Sequence, residues 1–201
     1  LEGIWFYWFA WLGWIVLTFF FKKGKLRTGL AACLLVVIFT AHQTFSVLHT
    51  SVSIGFVLLL LLNYLLVRDF SYKKLLYLFV CTVIISFSYV SFYLYSIFDP
   101  VWVMFHPSFM LAFVLTYLVL LLFKAKKDRY IAFLFGICHG DLLYGFVMDF
   151  YSFPITFGNL AFFDVMAIGI TFISTWNGFE LLSVALNQVT KRTNKRKAGI
   201  L

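Results

Sequence analysis

Charge is scarce in this sequence. Only eight of its 201 residues are acidic, and all charged residues together make up 12%, about half the share an ordinary soluble domain carries. That shortage excludes a water-soluble fold, because a chain that is 63% hydrophobic and 22% aromatic could not hide its apolar surface in one core of this size. Cysteine is nearly absent as well: Cys33, Cys81 and Cys138 form an odd set with no C-x-x-C spacing, which excludes a disulfide framework and a zinc site and leaves them as small packing residues. Catalytic signatures are missing: there is no G-x-S-x-G elbow, no H-E-x-x-H, no Gly-rich phosphate loop and no closely spaced pair of carboxylates. The sequence therefore points to no enzyme, no cofactor and no metal centre, and the His and Asp spacing matches no metal motif.

What is present is a series of apolar runs cut by polar breaks. Seven spans are expected, approximately Ile4–Phe21, Thr28–Val47, Val52–Val67, Leu75–Phe98, Val103–Phe123, Tyr130–Phe150 and Leu160–Leu182, the last with an amphipathic extension through Leu186 and Val189. The fold class that follows is all-α, a polytopic transmembrane bundle of seven helices forming one domain over residues 1–190, with a basic tail at 191–201.

The basic residues divide the chain in the same way. All 16 fall in four clusters: Lys22, Lys23, Lys25 and Arg27; Arg68, Lys73 and Lys74; Lys124, Lys126, Lys127 and Arg129; and Lys191, Arg192, Lys195, Arg196 and Lys197. With seven spans the clusters occupy every second connection, so the positive-inside rule puts the N-terminus outside and the C-terminus in the cytoplasm. The net charge of +8 is thus spread over juxtamembrane loops, which argues for anionic lipid head groups as partners and against nucleic acid. The tail is also a candidate contact for a cytoplasmic protein. Because every lysine belongs to these clusters, none is available inside the bundle for a retinal Schiff base.

At the other end Trp5, Trp8, Trp11 and Trp14 recur every three residues, a stripe suited to an interfacial anchor or a packing face. The first span has no basic leader and no small-residue cleavage pattern, so it reads as a retained helix rather than a signal peptide.

A few ionisable residues lie within the apolar runs. Counting from Arg129 at about 1.5 Å per residue puts His139 and Asp141 roughly 15 and 18 Å into the span, near the midplane of a ~30 Å core. An ionisable group there costs at least about 2.5 kcal/mol, so Asp141 should face the bundle interior or a wet cavity. Residues two apart on a helix point about 200° apart, so His139 and Asp141 serve different neighbours. His139 lies beside the ladder Ala132, Gly136, Gly140, where small residues admit a close helix.

Asp141 shares its face with Tyr144 and Gly145, and His42, Gln43 and Asp164 are the polar groups expected across the bundle from it. Together these suggest a ligand or proton pocket. The competing reading is a protonated Asp141 that only hydrogen-bonds a neighbouring helix. Asp99, His106 and Asp149 are candidates for the mouth of an outer vestibule, while His49 and Glu180 read as solvated interfacial groups.

Four segments, FYWFAW at 6–11, FDPVWV at 98–103, HGDLLYG at 139–145 and LAFFDV at 160–165, resemble the YphA-type integral membrane proteins of Bacillus and its relatives. The resemblance covers essentially the whole chain. It implies a multi-pass protein of a Gram-positive plasma membrane, and it carries no catalytic roles. The reading preferred from the sequence is transport or binding of a small solute or ion, with proton coupling through Asp141; the alternative is a scaffold or regulatory membrane protein with a structural polar core, and an intramembrane enzyme or metal protein has least support.

Overall fold

A computed structural model of the chain describes residues 2–47 and 50–198, without the side chains at 26, 47 and 189–198. His49 and the side chains of Lys191, Arg192, Lys195, Arg196 and Lys197 thus lie outside the described residues.

Among the described residues seven α-helices follow one another: α1 (Ile4–Phe20), α2 (Lys25–Thr40), α3 (Ile54–Val67), α4 (Tyr72–Phe98), α5 (Pro107–Leu122), α6 (Lys126–Phe150) and α7 (Leu160–Ala198). Three of them, α4, α6 and the Leu160–Gln188 part of α7, are long and apolar enough to cross a membrane. The other four have 14 to 17 residues, or roughly 21–26 Å at about 1.5 Å per residue.

One expectation fails here. The second span was placed over Thr28–Val47, but α2 stops at Thr40 and the chain turns into a small sheet made of β1 (Thr44–Val47), β2 (Thr50–Ser53) and β3 (Thr156–Phe157). β1 pairs antiparallel with β2, Thr44 opposite Ser53, and β2 pairs parallel with β3, Ser51 opposite Thr156. The reason is local: residues 44–53 alternate polar with β-branched or aromatic side chains and contain no alanine, a pattern that suits a pleated surface better than a helix. Averaged hydropathy hides that alternation. The fold is therefore mostly helical with a sheet at one end, rather than purely helical.

The sheet ties the α2–α3 connection to the α6–α7 connection. At the opposite end Lys74 and Asp128 form an ion pair at 2.6 Å, joining the second and third basic clusters, and the Tyr77 hydroxyl donates to the Leu122 carbonyl at 2.6 Å. Basic connections and sheet thus cap opposite ends of the bundle.

Proline and asparagine set several helix starts. Pro107 occupies the first turn of α5, where its missing N–H costs nothing, and Asn159 Oδ1 accepts from Phe162 N at 2.8 Å at the start of α7. The most extensive helix pairing is α4 against α6. A side chain on Gly136 would collide with Ile85, and a Cβ on Gly140 would stand 2.8 Å from the Cβ of Tyr89. Ser86 Oγ donates to the Gly136 carbonyl at 3.0 Å across the same seam. Ile85, Phe133, Ile137, Phe162, Phe163 and Ile168 fill the core between α4, α6 and α7.

Candidate functional site

Asp141 lies on the α4–α6 seam, one position beyond the second glycine of the ladder, and only 5% of its surface is exposed. Its Oδ1 accepts from the Tyr89 hydroxyl at 2.9 Å and its Oδ2 from the backbone N–H of Gly158 at 2.8 Å. Gly158 has φ +64, a left-handed conformation that glycine adopts without a steric penalty, and a side chain there would collide with Phe56 of α3. One turn along α6, a side chain on Gly145 would collide with Phe157. The space beside Asp141 is therefore filled by residues 157 and 158, the junction between β3 and α7. Chemically the carboxyl group satisfies a buried backbone donor that no strand or helix partner reaches, and it holds that junction against α4 and α6.

Asp164 has a matching role at the other buried acid position. It is fully buried in the first turns of α7, with Oδ2 accepting from Gly3 N at 2.8 Å and Oδ1 from Phe6 N at 2.7 Å. Gly3 is the N-cap of α1 and, having no side chain, cannot cap it. A capping box uses two side chains to satisfy the N-cap and N3 donors; here one carboxylate from a distant helix satisfies both. Its negative charge also sits at the positive end of the α1 dipole.

The family model of YphA-like integral membrane proteins matches residues 2–199. The chain belongs to that family. It is 22% identical over 196 residues to a protein of Bacillus subtilis (strain 168) described as "Uncharacterized protein YphA", a match covering 97% of each chain. No solved structure matches it significantly. Family membership and the three long apolar helices make this YphA-like protein an integral protein of the cell membrane, consistent with its Bacillus relative.

The other residues singled out from the sequence are dispersed. His139 is half-buried and faces α3: its Nδ1 lies 2.8 Å from the Phe135 carbonyl and its Nε2 lies 3.0 Å from the Tyr64 hydroxyl. A carbonyl only accepts, so Nδ1 carries a proton, and in the neutral ring Nε2 accepts from Tyr64. Tyr144 packs on Tyr93, which packs on Tyr89, with ring centroids 5.1 and 4.9 Å apart. Beyond Tyr144 lies an apolar groove of about 560 Å³ between α4, α6 and the loop through Pro154. His42 and Gln43 are exposed in the turn after α2, and neither is bonded to Asp141, whose oxygens accept from Tyr89 and Gly158.

Asp99, His106 and Asp149 are exposed at separate helix ends. Asp99 caps the short 3-10 turn at Pro100–Trp102, accepting from Val101 N at 3.2 Å, and His106 is the N-cap residue of α5. Among the described residues no three His, Cys, Asp or Glu side chains come together as a metal site.

Sequence reasoning missed a second polar node at the basic end. Arg129, taken as a boundary residue, is 6% exposed: its Nε donates to the Phe123 carbonyl at 2.9 Å, and its Nη1 lies 2.6 Å from Asn177 Oδ1 and 2.9 Å from Glu180 Oε1. Lys126 donates to the Asn177 carbonyl at 3.2 Å and Trp176 Nε1 to Glu180 Oε1 at 2.8 Å. Glu180 is therefore a packing partner of α6. The one available signal was the i, i+3 spacing of Asn177 and Glu180, which puts both on one face of α7.

Proposed function

We propose that this protein is a non-catalytic, seven-span membrane scaffold or regulatory protein with its N-terminus outside and its C-terminus in the cytoplasm, and with a polar core that is structural. One observation carries this reading. Among the described residues the two buried acids, Asp141 and Asp164, accept two hydrogen bonds each from protein donors, one on each oxygen, and neither lines the groove beyond Tyr144. An acid that carries protons or ligands needs a wet, exchangeable face, whereas these two are engaged by buried protein donors.

The orientation rests on the four basic clusters, with anionic head groups as the expected partners of the cytoplasmic face and the tail as a contact for a cytoplasmic protein. Helices of 14 to 17 residues can complete spans by local thinning of the bilayer and by snorkelling of flanking residues.

The transport reading keeps one supporting feature, the tyrosine contacts linking Asp141 to the groove at Tyr144. Cysteine labelling separates the two. In a background with Cys33, Cys81 and Cys138 replaced by alanine, Asp141→Cys should resist a membrane-impermeant thiol reagent from both sides while an exposed Asp149→Cys reacts. Rapid labelling at position 141 in the folded protein would favour the cavity and contradict the structural core.

A further inference from the structure

A groove of about 770 Å³ runs between α5 and α7 and ends at the buried polar node. Its apolar end is formed by Phe113 and Phe172, whose rings meet edge to face, and its other end by Arg129 and Glu180. Two features distinguish it from an ordinary lipid-facing crease. Thr116, 5% exposed and lining the groove, has a hydroxyl with no hydrogen-bond partner. Arg129 spends Nε and Nη1 on the protein, while its Nη2 makes no hydrogen bond among the described residues.

Charge decides the class of occupant. Lys126 and Arg129 face a single carboxylate, Glu180, because Asp128 is paired away with Lys74. The node keeps an excess positive charge at the end of the bundle that carries the basic connections, and Lys124 and Lys127 are its near neighbours in sequence. Basic pockets between membrane helices are suited to phosphate head groups, and the aromatic walls are suited to acyl chains.

We propose that this groove is a specific site for one anionic phospholipid. Its phosphate is held by Lys126 Nζ and Arg129 Nη2, an ester carbonyl accepts from the Thr116 hydroxyl, and an acyl chain lies along the Phe113 and Phe172 rings. Glu180 orients both cations and disfavours a second phosphate. The site does not depend on the orientation or the scaffold role proposed above.

The test uses the full-length protein in detergent micelles, with bound lipid counted by native mass spectrometry. Phosphatidylglycerol should bind about fivefold or more better than phosphatidylcholine with the same chains, the effect of roughly one basic residue. Lys126→Gln should remove that preference, and Thr175→Trp, which fills the groove without changing charge, should weaken both lipids. Glycerol 3-phosphate should not compete. Equal binding of the two lipids, a preference that survives both substitutions, or competition by the chain-free phosphate would each overturn the proposal. Because Lys126 and Thr175 are not buried, both variants should fold, and an unchanged melting profile without added lipid verifies that they do.

Discussion

Replacing Asp164 with alanine should release the start of α1. The carboxylate is the partner of two buried N–H groups, at Gly3 and Phe6, and nothing else on α1 can take its place, since the N-cap residue is a glycine. Leaving a buried donor unsatisfied costs about 1–3 kcal/mol, so losing the acceptor of both donors should cost roughly 2–6 kcal/mol. Asp164→Asn keeps one acceptor and turns an NH₂ toward the other donor, so it should recover no more than about half. Trp5, Trp8 and Trp11 lie in the affected helix, so tryptophan fluorescence during unfolding in mixed micelles reports the event directly. The expected order of stability is wild type, then Asn, then Ala. If Asp164→Ala unfolded at the same denaturant concentration as the wild type, the trans-capping argument would be wrong.

Gly140→Val should cost about 1–3 kcal/mol, because its Cβ would meet the stiff base of the Tyr89 side chain rather than a mobile end, whereas Gly178→Ala, which meets nothing within 4 Å, should be neutral or slightly stabilising; thermal unfolding in detergent compares them. Arg129→Met should cost about 2–3 kcal/mol by the same assay, less than a fully buried ion pair because the Glu180 side chain stays about 32% exposed. Adding Glu180→Gln to that variant should restore part of the loss. Tyr89→Phe should cost about 1–2 kcal/mol, as it removes one of the two bonds to Asp141 and leaves the ring packing in place.

The opposed directions of His139 and Asp141 were legible from helical phase alone: one faces Tyr64 on α3 and the other Tyr89 on α4. The small-residue ladder at 132, 136 and 140 was legible for the same reason, since spacing by four puts residues on one face. The partners were not legible. Tyr89 and Gly158 are 52 and 17 residues from Asp141, and no local pattern encodes a backbone donor made available by a left-handed glycine. The strands at 44–47 and 50–53 were lost because their alternating serines and threonines are averaged into the apolar runs around them. Arg129 was misread because a basic residue next to a span is usually solvated, and only the tertiary structure shows that Asn177 and Glu180 reach it.

The most direct test of a structural polar core is native-state hydrogen exchange at the Gly158 amide. This amide donates to Asp141 at 2.8 Å inside the protein, so it should exchange slowly in the wild type and in Asp141→Asn, whose carbonyl still accepts. In Asp141→Ala it should exchange roughly ten to a hundred times faster, the effect of leaving one buried donor without its acceptor. A Gly158 amide that already exchanges at solvent rates in the wild type would contradict the account, and so would one unaffected by Asp141→Ala.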